Sequence, residues 1–177
     1  VMIVLIATMA AWLMALALHL KPVDFLPLNL SMLQYIVFRL LTSFCGVFGF
    51  SIMFNSPVPL AMSAAIIGAI SNTLRLELVD LASLPPAAAA FFAAMIAGLL
   101  ASAYKKHSGF PRIAITVPSI VIMVPGLYLY RAIYNLGMMN LSISASWFAS
   151  ATLIILALPL GLIFARIMTD KMFRYCT

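Results

Sequence analysis

The sequence is cut into apolar runs about as long as a bilayer's hydrocarbon core is thick, and this limits its fold more than any other property. From Val1 to Leu20 there is no Asp, Glu, Lys or Arg. A helix needs about 20 such residues to cross the core. Runs of similar length recur at 33–54, 59–78, 85–104, 109–135 and 147–167, separated by short stretches of proline, serine, asparagine or charge that read as loops. The expectation is an all-α, polytopic membrane protein of about six transmembrane helices. Composition agrees: 66% of residues are hydrophobic and 8% charged, where a soluble domain carries about 25% charge.

One of these runs breaks the rules for a plain membrane helix. In GFPRIAITVPSIVIMVPGLYLYRAIYN (109–135), Pro118 and Pro125 each remove a backbone N–H, Gly126 loosens the chain after the second, and Tyr130 and Arg131 follow. Lipid cannot repair such a break. The freed carbonyls must meet neighbouring helices or water in a cavity, and interrupted spans are where transporters tend to hold substrate. The fifth span is therefore expected to be interrupted by Pro and Gly. Its second half would turn free N–H groups and the positive end of its dipole toward a substrate carboxylate, with Tyr130 donating a hydrogen bond and Arg131 a charge. The plainer alternative is that the prolines shape packing, with Tyr128 and Tyr130 as interfacial anchors.

The other spans carry packing signals. In the third, Ala61, Ala65 and Ala69 fall on one line and Ala64 and Gly68 on the next, followed by Asn72. In the fourth, Ala90, Ala94, Gly98 and Ser102 repeat the spacing. Small residues four apart let helix backbones approach closely in lipid. Pro59 and the pair Pro85-Pro86 sit where helices should begin, since a proline there gives up an N–H that has no partner anyway. Lys21-Pro22-Val23-Asp24, with Pro27, is expected to close the first helix. Lys105-Lys106-His107 and Gly137 to Ser146 are expected as loops, and Trp147 as an interfacial anchor.

With the spans alternating sides, Lys105, Lys106, Arg112, Arg166, Lys171 and Arg174 collect on one side, which the positive-inside rule makes cytoplasmic. The C-terminus is then cytoplasmic too. Arg39, Arg75 and Arg131, from three different spans, remain on the other half. Either they converge on an outward-facing cavity that attracts an anionic group, with Glu77 or Asp80 balancing part of the charge, or each extends its head group to the interface. The net charge of +6 comes from few, dispersed cations, which does not fit nucleic acid. Cys45 and Cys176 lack the spacing of a disulfide framework or a metal site, and no cofactor is implied. No paired carboxylates, Ser–His pair, HExxH or cysteine cluster lies at membrane depth, so an enzyme is disfavoured. The four acids, Asp24, Glu77, Asp80 and Asp170, lie in loops or at span ends.

FNSPVP (Phe54 to Pro59), the basic loop ending in Pro111-Arg112, and above all VPSIVIMVPGLYLYRAI (Val117 to Ile133) resemble the C-terminal half of the threonine/serine exporter family. The resemblance implies a multi-pass protein of the bacterial inner membrane, exporting threonine- or serine-like amino acids, or moving small carboxylates, with the proton gradient. It also implies two hydrophobic halves, fused or on separate chains. The substrate would be small and anionic or zwitterionic, met by Pro118, Pro125, Gly126, Tyr130, Arg131, Arg39 and Arg75. The expected layout is a leading helix and loop at 1–32, standing alone or ending the other half, a five-span exporter-like domain at 33–168 and a cytoplasmic tail at 169–177. The chain does not open on methionine, which fits a start part-way through a longer product. A second membrane subunit or fused N-terminal half, and an oligomer, are expected to supply the proton-carrying groups. The alternative function is a non-transporting assembly subunit of a larger membrane complex, in which the small-residue faces do the work.

Overall fold

The computed structural model describes residues 2–19 and 31–170. Among the described residues it contains seven helices and no strand: α1 (Met2–Ala17), α2 (Met32–Met53), α3 (Val58–Asp80), α4 (Pro86–Ser108), α5 (Arg112–Val121), α6 (Gly126–Gly137) and α7 (Leu141–Thr169). The expected loop at 21–27, and the tail beyond residue 170 with Lys171, Arg174 and Cys176, lie outside the described residues.

Among the described residues four helices, α2, α3, α4 and α7, are long and apolar enough to span a membrane, and α5 with α6 brings the number to five if the bent pair is one span. The protein is thus an all-α polytopic membrane protein. The first helix is shorter than expected, with 16 residues described, about 24 Å at roughly 1.5 Å per residue. Prolines open helices as anticipated: Pro57 caps α3 with Pro59 in its first turn, and Pro85 caps α4 with Pro86 behind it. At the start of α2, the Ser31 N–H donates to Gln34 Oε1 at 3.0 Å.

Two expected loops are helical instead. Lys105-Lys106-His107 belongs to α4, which runs to Ser108 and stops at Gly109, whose φ of 70° suits a residue without a Cβ. The polar stretch before Trp147 is helical from Leu141. Its serines satisfy themselves locally, Ser146 Oγ donating to the Ile143 carbonyl at 2.8 Å and Ser150 Oγ to that of Ser146 at 2.9 Å. A hydroxyl bonded back to its own helix has no need of loop water.

The described residues fall into two units: α1 with Pro125–Thr152, and Ser31–Val124 with the rest of α7 from Leu153 on. In the first, the Trp12 ring packs on Gly137, where a Cβ would come within 2.6 Å of it. Ser144 Oγ donates to the Ala132 carbonyl at 2.7 Å, tying the start of α7 to α6.

The larger unit is arranged around α3, which meets α2, α4 and α5. Its interior is small: Ala61, Ala64, Ala65, Ala69, Ala90, Ala94, Ala97 and Ala101 are buried, whereas large side chains such as Leu33, Met53 and Ile113 point outward. Such a distribution suits a protein whose solvent is hydrocarbon. Close backbone contact holds the helices, and large apolar groups face lipid. Glycine marks the closest approaches. Gly161 of α7 sits on the Phe91 carbonyl of α4, and a Cβ on Gly98 would lie 2.7 Å from that of Ala165.

Candidate functional site

The fifth span breaks where its prolines say it should. α5 contains Pro118 and ends at Val121, and the chain then tightens, the Met123 N–H donating to the Ile120 carbonyl at 2.9 Å and that of Val124 to Val121 at 3.1 Å. Because Met123 turns to Ile120, the Ser119 carbonyl loses its ordinary helical donor. Gly68 of α3 lies against it, so close that a Cβ there would be 2.9 Å from the oxygen. Ser119 Oγ, fully buried, reaches the carbonyls of Ile115 at 2.7 Å and Ala64 at 3.0 Å. Pro118 is buried in the same packing. On this side, neighbouring helices meet the break.

After the break, Pro125 caps α6 and its carbonyl accepts from the Leu129 N–H at 3.1 Å. The N–H groups of Gly126, Leu127 and Tyr128 precede the first intrahelical donor, that of Leu129. Tyr130 stacks on Tyr134, ring centroids 6.3 Å apart. Arg131, about 7.5 Å further along the axis than Gly126, holds its guanidinium carbon 4.8 Å from the centroid of Trp147, against which Tyr128 stands edge-on. Trp147, expected as a membrane anchor, is thus a platform for the cation. The ring attracts the cation without cancelling its charge.

The other two candidate arginines lie in the larger unit, on a seam where α2 meets α3. Arg39 Nη1 donates to Glu77 Oε1 at 2.7 Å, and its Nη2 is paired with Asp80. Four residues deeper along α2, Ser43 accepts from Asn72 Nδ2 at 2.9 Å, and Asn72 Oδ1 accepts from Arg75 Nε at 3.1 Å. Both acids face Arg39, and two cations with two anions leave the seam neutral. Arg131 belongs to the other unit.

Sequence reasoning missed Ser43, Ser119 and the role of Trp147. Ser43 had a faint signal, lying one helical turn from Arg39 on the same face. Ser119 had none, since its importance comes from a carbonyl on a neighbouring helix.

These features have a family context. The family model for Threonine/Serine exporter, ThrE, matches residues 39–168, from the seam through the broken span to the end of α7. The chain belongs to this exporter family. An uncharacterized protein of Haemophilus influenzae is 31% identical over 133 residues, covering 67% of this chain and 44% of that protein. The chain therefore spans less than half the length of that relative. No solved structure matches it. The family match begins at Arg39 itself and takes in Arg75, Pro118, Pro125, Gly126, Tyr130 and Arg131.

Proposed function

We propose that the chain is one part of a proton-coupled exporter of small amino acids of the threonine/serine kind, or of small carboxylates, in the bacterial inner membrane with its C-terminus in the cytoplasm. The observation that carries this reading is the broken α5–α6 element within the family match. Its second half begins with free N–H groups at Gly126, Leu127 and Tyr128 and carries a cation at Arg131. Amides and positive charge at the start of a broken membrane helix attract a carboxylate.

In this mechanism the substrate carboxylate is held by the α6 amides and Arg131, with the Tyr130 hydroxyl as a further donor. Pro125 and Gly126 keep the helix open at that point. Arg39 and Arg75 already have partners on the α2–α3 seam and hold that helix pair together. Proton transfer is assigned to a second membrane half or partner subunit, because among the described residues Glu77 and Asp80 serve Arg39 and Asp170 lies at the end of α7.

The alternative, a non-transporting assembly subunit, needs a free small-residue face, and that of α4 is taken up within the chain, Gly98 against Ala165 and Ala94 against Gly161 of α7. Export of labelled threonine, serine and succinate from cells holding the intact complex separates the two. The exporter reading expects Arg131→Gln to lower export about a hundredfold in a complex that still assembles. Unchanged export in that variant would leave the subunit reading standing.

A further inference from the structure

Away from the break itself, the ends of α4 and α7 and the start of α5 form a half-open cavity of about 550 Å³, lined by Leu99, Ser102, Ala103, Lys105, Arg112, Thr169 and Asp170. Its polar wall is organised. Arg112 Nη1 donates to Thr169 Oγ1 at 3.2 Å, and Thr169 and Ser102 in turn donate to carbonyls of their own helices at 2.8 Å each. Arg166 bears on Arg112 as a like charge, while Asp170 is an opposite one, lying 3.9 Å from Arg166. Among the residues that line the cavity, Lys105 and Arg112 are cations and Asp170 is the one carboxylate, itself paired with Arg166. Arg112 is also the first residue of α5, where the helix dipole adds to it.

A second cavity, of about 470 Å³, adjoins the first and differs from it in chemistry. It is a groove along α3 and α4 lined mainly by Pro59, Met62, Ile66, Ile70, Leu100 and Tyr104. Ala103 lines both cavities. From Pro59 to Ile70 the groove follows α3 for about 16 Å. A cationic cavity that continues into an apolar groove has the layout of an amphiphile, and a small soluble anion would use only half of it.

We propose that the two cavities together bind one anionic phospholipid, its phosphate against Arg112 and Lys105 and one acyl chain along Met62, Ile66 and Ile70. Arg112 supplies a fork of N–H donors suited to phosphate oxygens, and Lys105 a mobile charge. Asp170 disfavours a second anion and selects a single phosphate at that depth.

Native mass spectrometry of the complete membrane-extracted complex tests this, with dioleoylphosphatidylglycerol, dioleoylphosphatidylcholine and inorganic phosphate as probes. The expected result is phosphatidylglycerol retained at least about tenfold more strongly than phosphatidylcholine, with Arg112→Gln and Lys105→Gln each reducing retention about tenfold, the worth of one charge-assisted contact. Arg112 also touches α7, so Ala103→Trp, which fills the junction from an exposed position, is the independent check and should expel the lipid from a complex of unchanged composition. Equal retention of both lipids, full retention in Lys105→Gln and Ala103→Trp, or occupancy of the site by inorganic phosphate in competition with lipid would each overturn the proposal.

Discussion

Arg39 and Arg131 are both arginines on apolar helices, but the molecule treats them differently. Arg39 lies on the α2–α3 seam, bound to Glu77 and Asp80, with the Tyr35 ring 5.6 Å from its guanidinium carbon. Arg131 lies one helical turn past the start of α6, over the ring of Trp147. A carboxylate cancels a charge, whereas an aromatic face holds it in place and leaves it uncancelled. The first arrangement is what a helix pair needs to be stable in lipid, and the second is what a binding site needs to stay attractive. Charge at membrane depth is therefore an ambiguous signal until its partner is known.

The comparison breaks most sharply at Arg131. Export measured with Arg131→Gln should fall about a hundredfold, the upper range for one charge-assisted contact, while the melting temperature of the protein stays within a few degrees of wild type. Arg131→Lys sharpens it, because lysine keeps the charge but loses the planar fork, and export should recover in part. A variant at Arg131 that unfolds the protein would put both arginines in the structural class.

The opposite pattern is expected on the seam. Converting Glu77 to Gln and Asp80 to Asn together strands Arg39. Losing the partners of a fully buried ion costs about 3–5 kcal/mol, and the partial exposure of this group reduces that to about 1–3 kcal/mol. Thermal unfolding in detergent should register the loss, and restoring neutrality with Arg39→Met in the same chain should return most of it. Export restored without stability would refute the structural assignment of Arg39.

The broken span and most helix starts were legible because proline and glycine act locally. Pro59, Pro86, Pro118 and Pro125 change the backbone whatever surrounds them. The small-residue lines of α3 and α4 were legible for a related reason, since in lipid only small side chains allow close approach. Pairing was legible only in part. Glu77 or Asp80 was expected to balance some of the arginine charge, but that both go to Arg39 follows from the antiparallel register of α2 and α3. Likewise Ser142, Ser144 and Ser146 read as a loop by their polarity, yet such hydroxyls close onto helical carbonyls and extend α7 to Leu141. Polarity alone does not separate a loop from a helix whose hydroxyls are internally bonded.

Gly68 links the seam to the break and gives the next effect in size. A methyl group there would lie 2.7 Å from Val47 on α2 and 2.9 Å from the Ser119 carbonyl on α5. Gly68→Ala should therefore push α3 from both neighbours, at a cost of about 1–3 kcal/mol for overpacking. Cysteine cross-linking between positions 43 and 72, where Ser43 and Asn72 now bond at 2.9 Å, should become slower in that background. An unchanged cross-linking rate would mean that the seam does not depend on this close approach.

The smallest effect separates the two acids that hold Arg39. The Glu77 side chain is 19% exposed and that of Asp80 51%, so water screens the second pair much more than the first. An exposed ion pair contributes about 0–1 kcal/mol. Asp80→Asn alone should thus lower stability by less than about 1 kcal/mol, and raising the salt concentration should erase the difference. Glu77→Gln alone should cost more and keep most of its effect in salt, because its partner is then left half-buried without its nearer charge. If the two single variants were equal and equally sensitive to salt, Arg39 would be held by the sum of two surface pairs, and its contrast with Arg131 would be one of solvent exposure more than of partner chemistry.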